Sequence, residues 1–264
     1  LIGEIQVVAD AAALAETGAR RVLDTAARVL ATRARCRLVL SGGSTPRALY
    51  ERLAAASAGA RGAPTAAGAA DAIDWSRVEL YFGDERCVPA DDPASNFRMV
   101  RESLLDRLPC APAAVHRIEG ERPAPEAAER YARRIAGAAD EASPPRFDLV
   151  LLGLGEDGHT ASLFPGSPAL EEATRTVVAA RAPVAPHERV TMTLPVLRAA
   201  RAILFLVSGA AKSAVLARVL DAGGERRAAA GPPLPAARVM PESGHIAWLV
   251  DRAAAAALER GATS

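Results

Sequence analysis

The stretch "FDLVLLGLGEDGHTASLFPGS", from Phe147 to Ser167, decides how the rest of the chain is read. Its first half is a run of aliphatic residues closing on glycines, the pattern of a strand buried on both faces. Its second half brings Glu156, Asp157 and His159 within four positions. Such an ending has two readings. It is either a turn that is merely polar, or a catalytic base held at the end of a sheet.

On either side of this strand the chain alternates helix and strand. Asp10 to Arg33 carries Leu14, Val22, Leu23, Ala26, Val29 and Leu30 at helical spacing. "CRLVLSGG" (36–43) reads as a short buried strand, followed by a helix in "TPRALYERLAAA" with Pro46 in its first turn. "VELYFGD" (78–84), "AILFLVSG" (202–209) and "HIAWLVD" (245–251) read as further strands, and "ERVTMTL" (188–194) alternates like one. Helices are expected in "SNFRMVRESLLDRL", with Ser95 as N-cap, in "APEAAERYARRIAGA", in "AAKSAVLARVL" and in the alanine-rich C-terminal segment. Near-continuous aliphatic strands, each followed by a helix, predict an α/β fold: a Rossmann-like, mostly parallel sheet with helices on both faces. The stretches 57–71 and 221–235, rich in Ala, Gly and Pro, are expected to be surface excursions rather than linkers. Residues 1–264 are therefore read as a single domain.

Composition narrows the function classes. At 264 residues, half of them hydrophobic, the chain can bury roughly three quarters of its unfolded surface without staples. A net charge of +1, with dispersed cations and few aromatics, gives no support for nucleic-acid binding. Three widely spaced cysteines (Cys36, Cys87, Cys110) without a CxxC pair fit a reducing compartment and no disulfide framework. No apolar run approaches the ~20 residues of a membrane span, and "LIGEIQVVAD" has no basic n-region before an apolar block. A soluble cytoplasmic protein is expected. Every cationic side chain is arginine except Lys212. A lone lysine is either a chance survivor or a place that needs a compact ammonium.

In open parallel sheets, ligands bind beyond the carboxyl ends of the strands. Those ends here read "SGGSTP", "GDERCVP", "GLGEDGHTASLFP" and "SGAAK". Gly42 and Gly43 let backbone approach a ligand, and Ser44 and Thr45 add hydroxyl donors at a helix start. That makes a phosphate cradle, or else a tight turn with an N-cap hydroxyl. Arg86 can fork onto a phosphate or pair with its neighbours Asp84 and Glu85. Lys212 can reach the same anion or be a solvated helix residue. Cys87 reads as packing, not as a nucleophile.

Four histidines compete for the catalytic role. His116 and His187 lie in proline-containing segments and read as solvated, and His245 opens a strand and reads as structural. His159 follows Asp157 by two, so the carboxylate can fix its tautomer. Metal ligation by that pair lacks a second histidine or an HxxxH, and neither metal nor cofactor is expected.

Together "LSGGSTPRALYERL", "FGDERCVPADDPASNFRMVRESLL", "FDLVLLGLGEDGHTASLFPGS" and "LFLVSGAAK" resemble the 6-phosphogluconolactonase family, in order and approximate spacing. "GEDGHTASLFP" is the most specific element, and the resemblance runs from about Glu4 to the C-terminal helix. It implies a glucosamine-6-phosphate isomerase-like α/β fold and hydrolysis of 6-phospho-D-glucono-1,5-lactone to 6-phospho-D-gluconate, the second step of the oxidative pentose phosphate pathway. It also implies that His159 is the general base with Asp157 beside it. Arg86 and Lys212 would be phosphate ligands, and Ser41, Gly42, Gly43, Ser44, Thr45, Asp84 and Asn96 would lie against the substrate. The partner is then a small sugar-phosphate lactone, and the protein a monomer or weak homodimer. The related aldose-ketose isomerase and deaminase carries a loop of the form DGHxAFNEP, whose glutamate falls on Phe164 here. A phenyl ring cannot carry the second proton that enolisation needs, although Asp84 remains at the other carboxylate position. A non-catalytic sugar-phosphate sensor would not need His159, and no helix-turn-helix segment precedes the domain.

Overall fold

The computed structural model describes residues 3–59, 73–137, 144–221 and 232–261. Seven strands form one parallel sheet: β1 (Glu4–Val8), β2 (Cys36–Leu40), β3 (Val78–Phe82), β5 (Ala114–His116), β6 (Leu149–Gly153), β9 (Ala202–Val207) and β10 (His245–Asp251). Their order across the sheet is β1-β10-β9-β6-β2-β3-β5. Three more, β4 (Asp84–Arg86), β7 (Val177–Arg181) and β8 (Glu188–Met192), form a small sheet in the order β4-β8-β7, both pairings antiparallel. The mostly parallel architecture with helices on both faces is the expected one. The second sheet is a correction: "ERVTMTL" is a strand, as its alternation predicts, but it pairs antiparallel with β4 and β7 outside the main sheet.

The helices follow the apolar spacing. α1 (Ala11–Thr32) buries Leu14, Ala15, Ala19, Val22, Leu23, Ala26 and Leu30, and Asp10 caps it by accepting from Ala13 N at 2.9 Å. α2 is Ser44–Gly59. α3 (Asn96–Ser103) starts at Ser95, whose side chain accepts from Arg98 N at 3.1 Å. α4 is Ala124–Ala136 and α5 is Leu194–Arg198. Lys212 ends a short 3-10 turn that leads into α6 (Ser213–Leu220), and α7 is Arg252–Gly261. In the core, Trp248 on β10 stacks on Phe205 of β9 at 3.9 Å, where the register sets them side by side. Of the two expected surface loops, 60–71 and 222–231 lie outside the described residues. Their flanks do not: 57–59 close α2, Asp221 follows α6, and Pro235 opens a 3-10 turn.

His116 corrects another expectation. It is not a solvated loop residue: it ends β5, with its ring stacked on Tyr81 at 4.4 Å. His187 and His245 are exposed.

Strand order positions the site. β9, β6, β2 and β3 are consecutive neighbours, so the four glycine-bearing strand ends picked out in the sequence stand side by side. After β2 the chain runs outward to β3 on one side, and β6 lies on the other, so the order reverses between β2 and β6. A crevice opens at such a switch point.

Candidate functional site

A cavity of about 350 Å³ lies at this point. Ser41, Gly42, Gly43, Ser44, Thr45, Asp84, Arg86, Asn96, His159 and Lys212 all line it. Asp157 stands behind His159 and reaches the cavity through it.

Each wall is fixed by buried polar contacts at a strand end. Beyond β2, the hydroxyl of Tyr50 accepts from Ser41 N–H (2.9 Å) and donates to Ser41 C=O (3.0 Å). Tyr131 does the same for Phe82 at the end of β3, accepting at 2.8 Å and donating at 3.0 Å. Both phenols are buried, which pushes them far above their ordinary range and keeps them neutral donors and acceptors. Asn96, the first residue of α3, donates from Nδ2 to Asp84 C=O at 2.9 Å, which fixes which end of the amide is which. Its Oδ1 then rests against Gly42, where a Cβ would lie only 1.9 Å away. Position 42 must therefore be glycine, because β2's loop and α3 meet there without room for a side chain.

Asp84 is buried and accepts from Ser162 Oγ at 2.7 Å. Glu85 turns the other way and accepts from the backbone of Arg86, Asn96 and Phe97 at 2.7–2.8 Å, anchoring the start of α3. Burial raises its pKa despite these donors. The Arg86 guanidinium forms no ion pair with Glu85; its Nη1 donates to Ala94 C=O at 2.6 Å.

The loop after β6 holds the imidazole. Asp157 Oδ1 accepts from His159 N–H at 3.0 Å and lies 2.5 Å from His159 Nδ1. Burial opposes the charge on Asp157, but the His159 backbone donor and imidazole outweigh it, and its pKa is lowered. An ionised carboxylate only accepts, so Nδ1 is the nitrogen that carries a proton towards Asp157, and Nε2 is the one turned away from it. Gly155 makes the tight loop possible, since a Cβ there would sit 2.1 Å from His159 Nδ1. The ring of Phe164 packs on the imidazole at 4.7 Å. On the fourth wall, buried Asp251 at the end of β10 accepts from Ser208 Oγ (2.5 Å) and Gly209 N–H (3.1 Å), fixing the turn that delivers Lys212.

Sequence reasoning missed Arg189. It lies on β8 directly opposite Arg86 in the antiparallel ladder, lines the same cavity and is only 7% exposed. Its Nε and Nη1 are buried without a hydrogen-bond partner. Burial, with Arg86 adding to it, pulls its pKa down. Asp84 and Glu85 oppose that shift without reversing it, and a buried guanidinium with unpartnered nitrogens facing another cation is costly unless a further anion comes to it. The available signal was an arginine inside the alternating strand "ERVTM", masked by a chain that uses arginine everywhere. Cys87 is not an activated thiol: burial, Glu188 and Glu85 push it up to about 11. Among the described residues no group of three or more His, Cys, Asp or Glu side chains is arranged to hold a metal ion.

The fold and cleft define an α/β protein with an imidazole–carboxylate pair facing a cavity that Arg86, Arg189 and Lys212 also line. Residues 9–248 match the model of the family described as glucosamine-6-phosphate isomerases/6-phosphogluconolactonase, and the chain belongs to that family. Human 6-phosphogluconolactonase is 43% identical over 255 residues, covering 96% of this chain and 93% of that protein. The 6-phosphogluconolactonase of Streptomyces coelicolor is 36% identical, covering 97% and 95%. The solved 6-phosphogluconolactonase of Trypanosoma brucei superposes with a TM-score of 0.76 at 28% identity, covering 97% and 98%.

Proposed function

We propose that this chain hydrolyses 6-phospho-D-glucono-1,5-lactone to 6-phospho-D-gluconate, with His159 as general base. The observation that carries the assignment is the Asp157–His159 pair facing a cleft that Arg86, Arg189 and Lys212 also line. Its relatives over nearly the full chain support the substrate class.

The lactone carbonyl is already electrophilic, so a positioned base and a water suffice. His159 Nε2 takes a proton from water as the oxygen attacks C1. It returns that proton to the ring oxygen as the C1–O bond breaks, and the new carboxylic acid ionises to solvent. Asp157 holds the tautomer and stabilises the transient imidazolium. Arg86, Arg189, Lys212 and the 41–45 loop hold the phosphate, which supplies orientation. Asn96 keeps that loop against Asp84. Phe164 on the imidazole occupies the place where an isomerase would need its second proton carrier, which disfavours enolisation.

We read the chain as one domain, because the cleft draws residues from both sheets. Among the described residues no helix is long and apolar enough to cross a membrane. We read it as a cytoplasmic enzyme, a monomer or weak homodimer without a nucleic-acid partner, a reading that the three free cysteines and a net charge of +1 support. The test is turnover of freshly prepared phosphorylated lactone by the wild type and by His159→Ala. The variant is expected to lose ~10²–10⁴-fold in kcat with KM little changed. Wild-type-like kcat in the variant removes His159 from the mechanism.

A further inference from the structure

Lys212 does not wait in the cleft with a free ammonium. Its Nζ lies 3.5 Å from Glu156 Oε1, with Lys212 24% and Glu156 69% exposed. Glu156 stands in the loop that carries the base, one residue before Asp157. A carboxylate of the protein thus occupies the cation that a phosphate ester must claim.

The competition has a predictable winner. An exposed carboxylate–ammonium pair is weak in water. A phosphate carries up to two charges and three acceptor oxygens, and it meets Arg86, Arg189 and backbone amides at the same time. We propose that Glu156 is a built-in competitor for the substrate phosphate: it holds Lys212 in the free protein, yields it when substrate binds, and takes it back as product leaves. This rests on reading the cleft as a phosphate-ester site. The chemistry gives the device a use. Hydrolysis turns a neutral lactone into a carboxylate, so the product is one charge more negative than the substrate. A carboxylate beside Lys212 repels the product more than the substrate and speeds its departure. A competitor that weakens ground state and transition state alike raises KM and leaves the chemical step alone. The opposing view is a brace, in which Glu156 orients Lys212 for the phosphate. The two views differ in sign.

Glu156→Gln keeps size, removes the charge and sits at an exposed loop position. The competitor view expects KM for the phosphorylated lactone, and Ki for both inorganic phosphate and product, to fall by about 2- to 5-fold, the scale of one exposed pair. KM for the unphosphorylated lactone should not move. On a Lys212→Met background the same substitution should have no such effect, because the contested cation is gone. A raised or unchanged KM and Ki, or an equal fall on both lactones, overturns the proposal. Phosphate-induced thermal stabilisation keeps the test independent of turnover. If the wild type hydrolysed no lactone, the functional reading would fail. A larger phosphate shift in Glu156→Gln would still support the competitor, and an equal or smaller shift would overturn it.

Discussion

On the proposed reading, Arg189 contributes to phosphate binding at some cost to stability. Its guanidinium is buried opposite Arg86 with two nitrogens unpartnered, an arrangement that disfavours folding without an anion. Arg189→Met should therefore leave the thermal midpoint unchanged or raise it. The same change should lower kcat/KM on the phosphorylated lactone by about 10- to 150-fold, the scale of one charge-assisted contact of ~1.5–3 kcal/mol. The unphosphorylated lactone should hardly notice it. Paired kinetics and melting curves check this, and a clear loss of stability with equal losses on both lactones would make Arg189 structural instead. Residues differ in how far the sequence reveals them. His159 was legible because a carboxylate two positions away and flanking glycines leave few structural uses for an imidazole. Arg189 was not, because its meaning comes from Arg86, more than a hundred positions earlier, across a ladder that only folding creates.

At the level of elements, the two tyrosine brackets set the precision of the cleft. Tyr50 satisfies both backbone groups of Ser41, and Tyr131 both groups of Phe82, at neighbouring strand ends. Tyr50→Phe leaves one buried N–H and one buried C=O without a partner at the root of the 41–45 loop. The expected loss is ~1–3 kcal/mol for each group left unsatisfied, read as a lower urea midpoint with unchanged slope. KM for the phosphorylated lactone should rise as the loop loosens. An unaltered midpoint would mean that water replaces the hydroxyl. The parallel strands were legible because burial on both faces demands unbroken aliphatic runs, as in "LVLLG" and "AILFLV". Of the small sheet only β8 was. β4 is three charged residues, "DER", and β7 is "VVAAR"; their pairing is dictated by the partner strand and not by their own composition. β5, again three residues, turned His116 from an apparent loop residue into a stacking partner of Tyr81 for the same reason.

At the scale of the whole molecule, lowered carboxyl pKa values outnumber raised ones among the described residues, and this shapes how the fold responds to pH. Glu121, through the side-chain hydrogen bond from Arg117, is lowered to about 2. Glu172, through the backbone donors of Arg175 and Thr174, is lowered to about 2 as well. Asp157, Glu102, Glu119 and Glu171 are also lowered, the last three chiefly by arginine partners. Glu85 is raised by burial and opposes them. A carboxyl whose folded value lies below its unfolded value stabilises the native state above the unfolded value. It loses that contribution as pH falls through the folded value, because the unfolded chain then binds more protons. A raised carboxyl has the opposite sign, so Glu85 offsets part of the loss in acid. Six lowered carboxyls against one raised make the acid slope positive, and His116, which burial lowers, adds to it from its unfolded value downwards: stability should begin to fall below pH ~6.5 and fall more steeply from pH ~4.5 towards ~2. Urea midpoints measured across that window check the slope. Glu121→Gln and Glu172→Gln should each flatten it while lowering the plateau at neutral pH. Glu85→Gln should steepen it, since the one group that opposes acid unfolding has been taken away. A midpoint that stays constant down to pH ~2.5 would mean that the unfolded chain holds its carboxylates as the native state does.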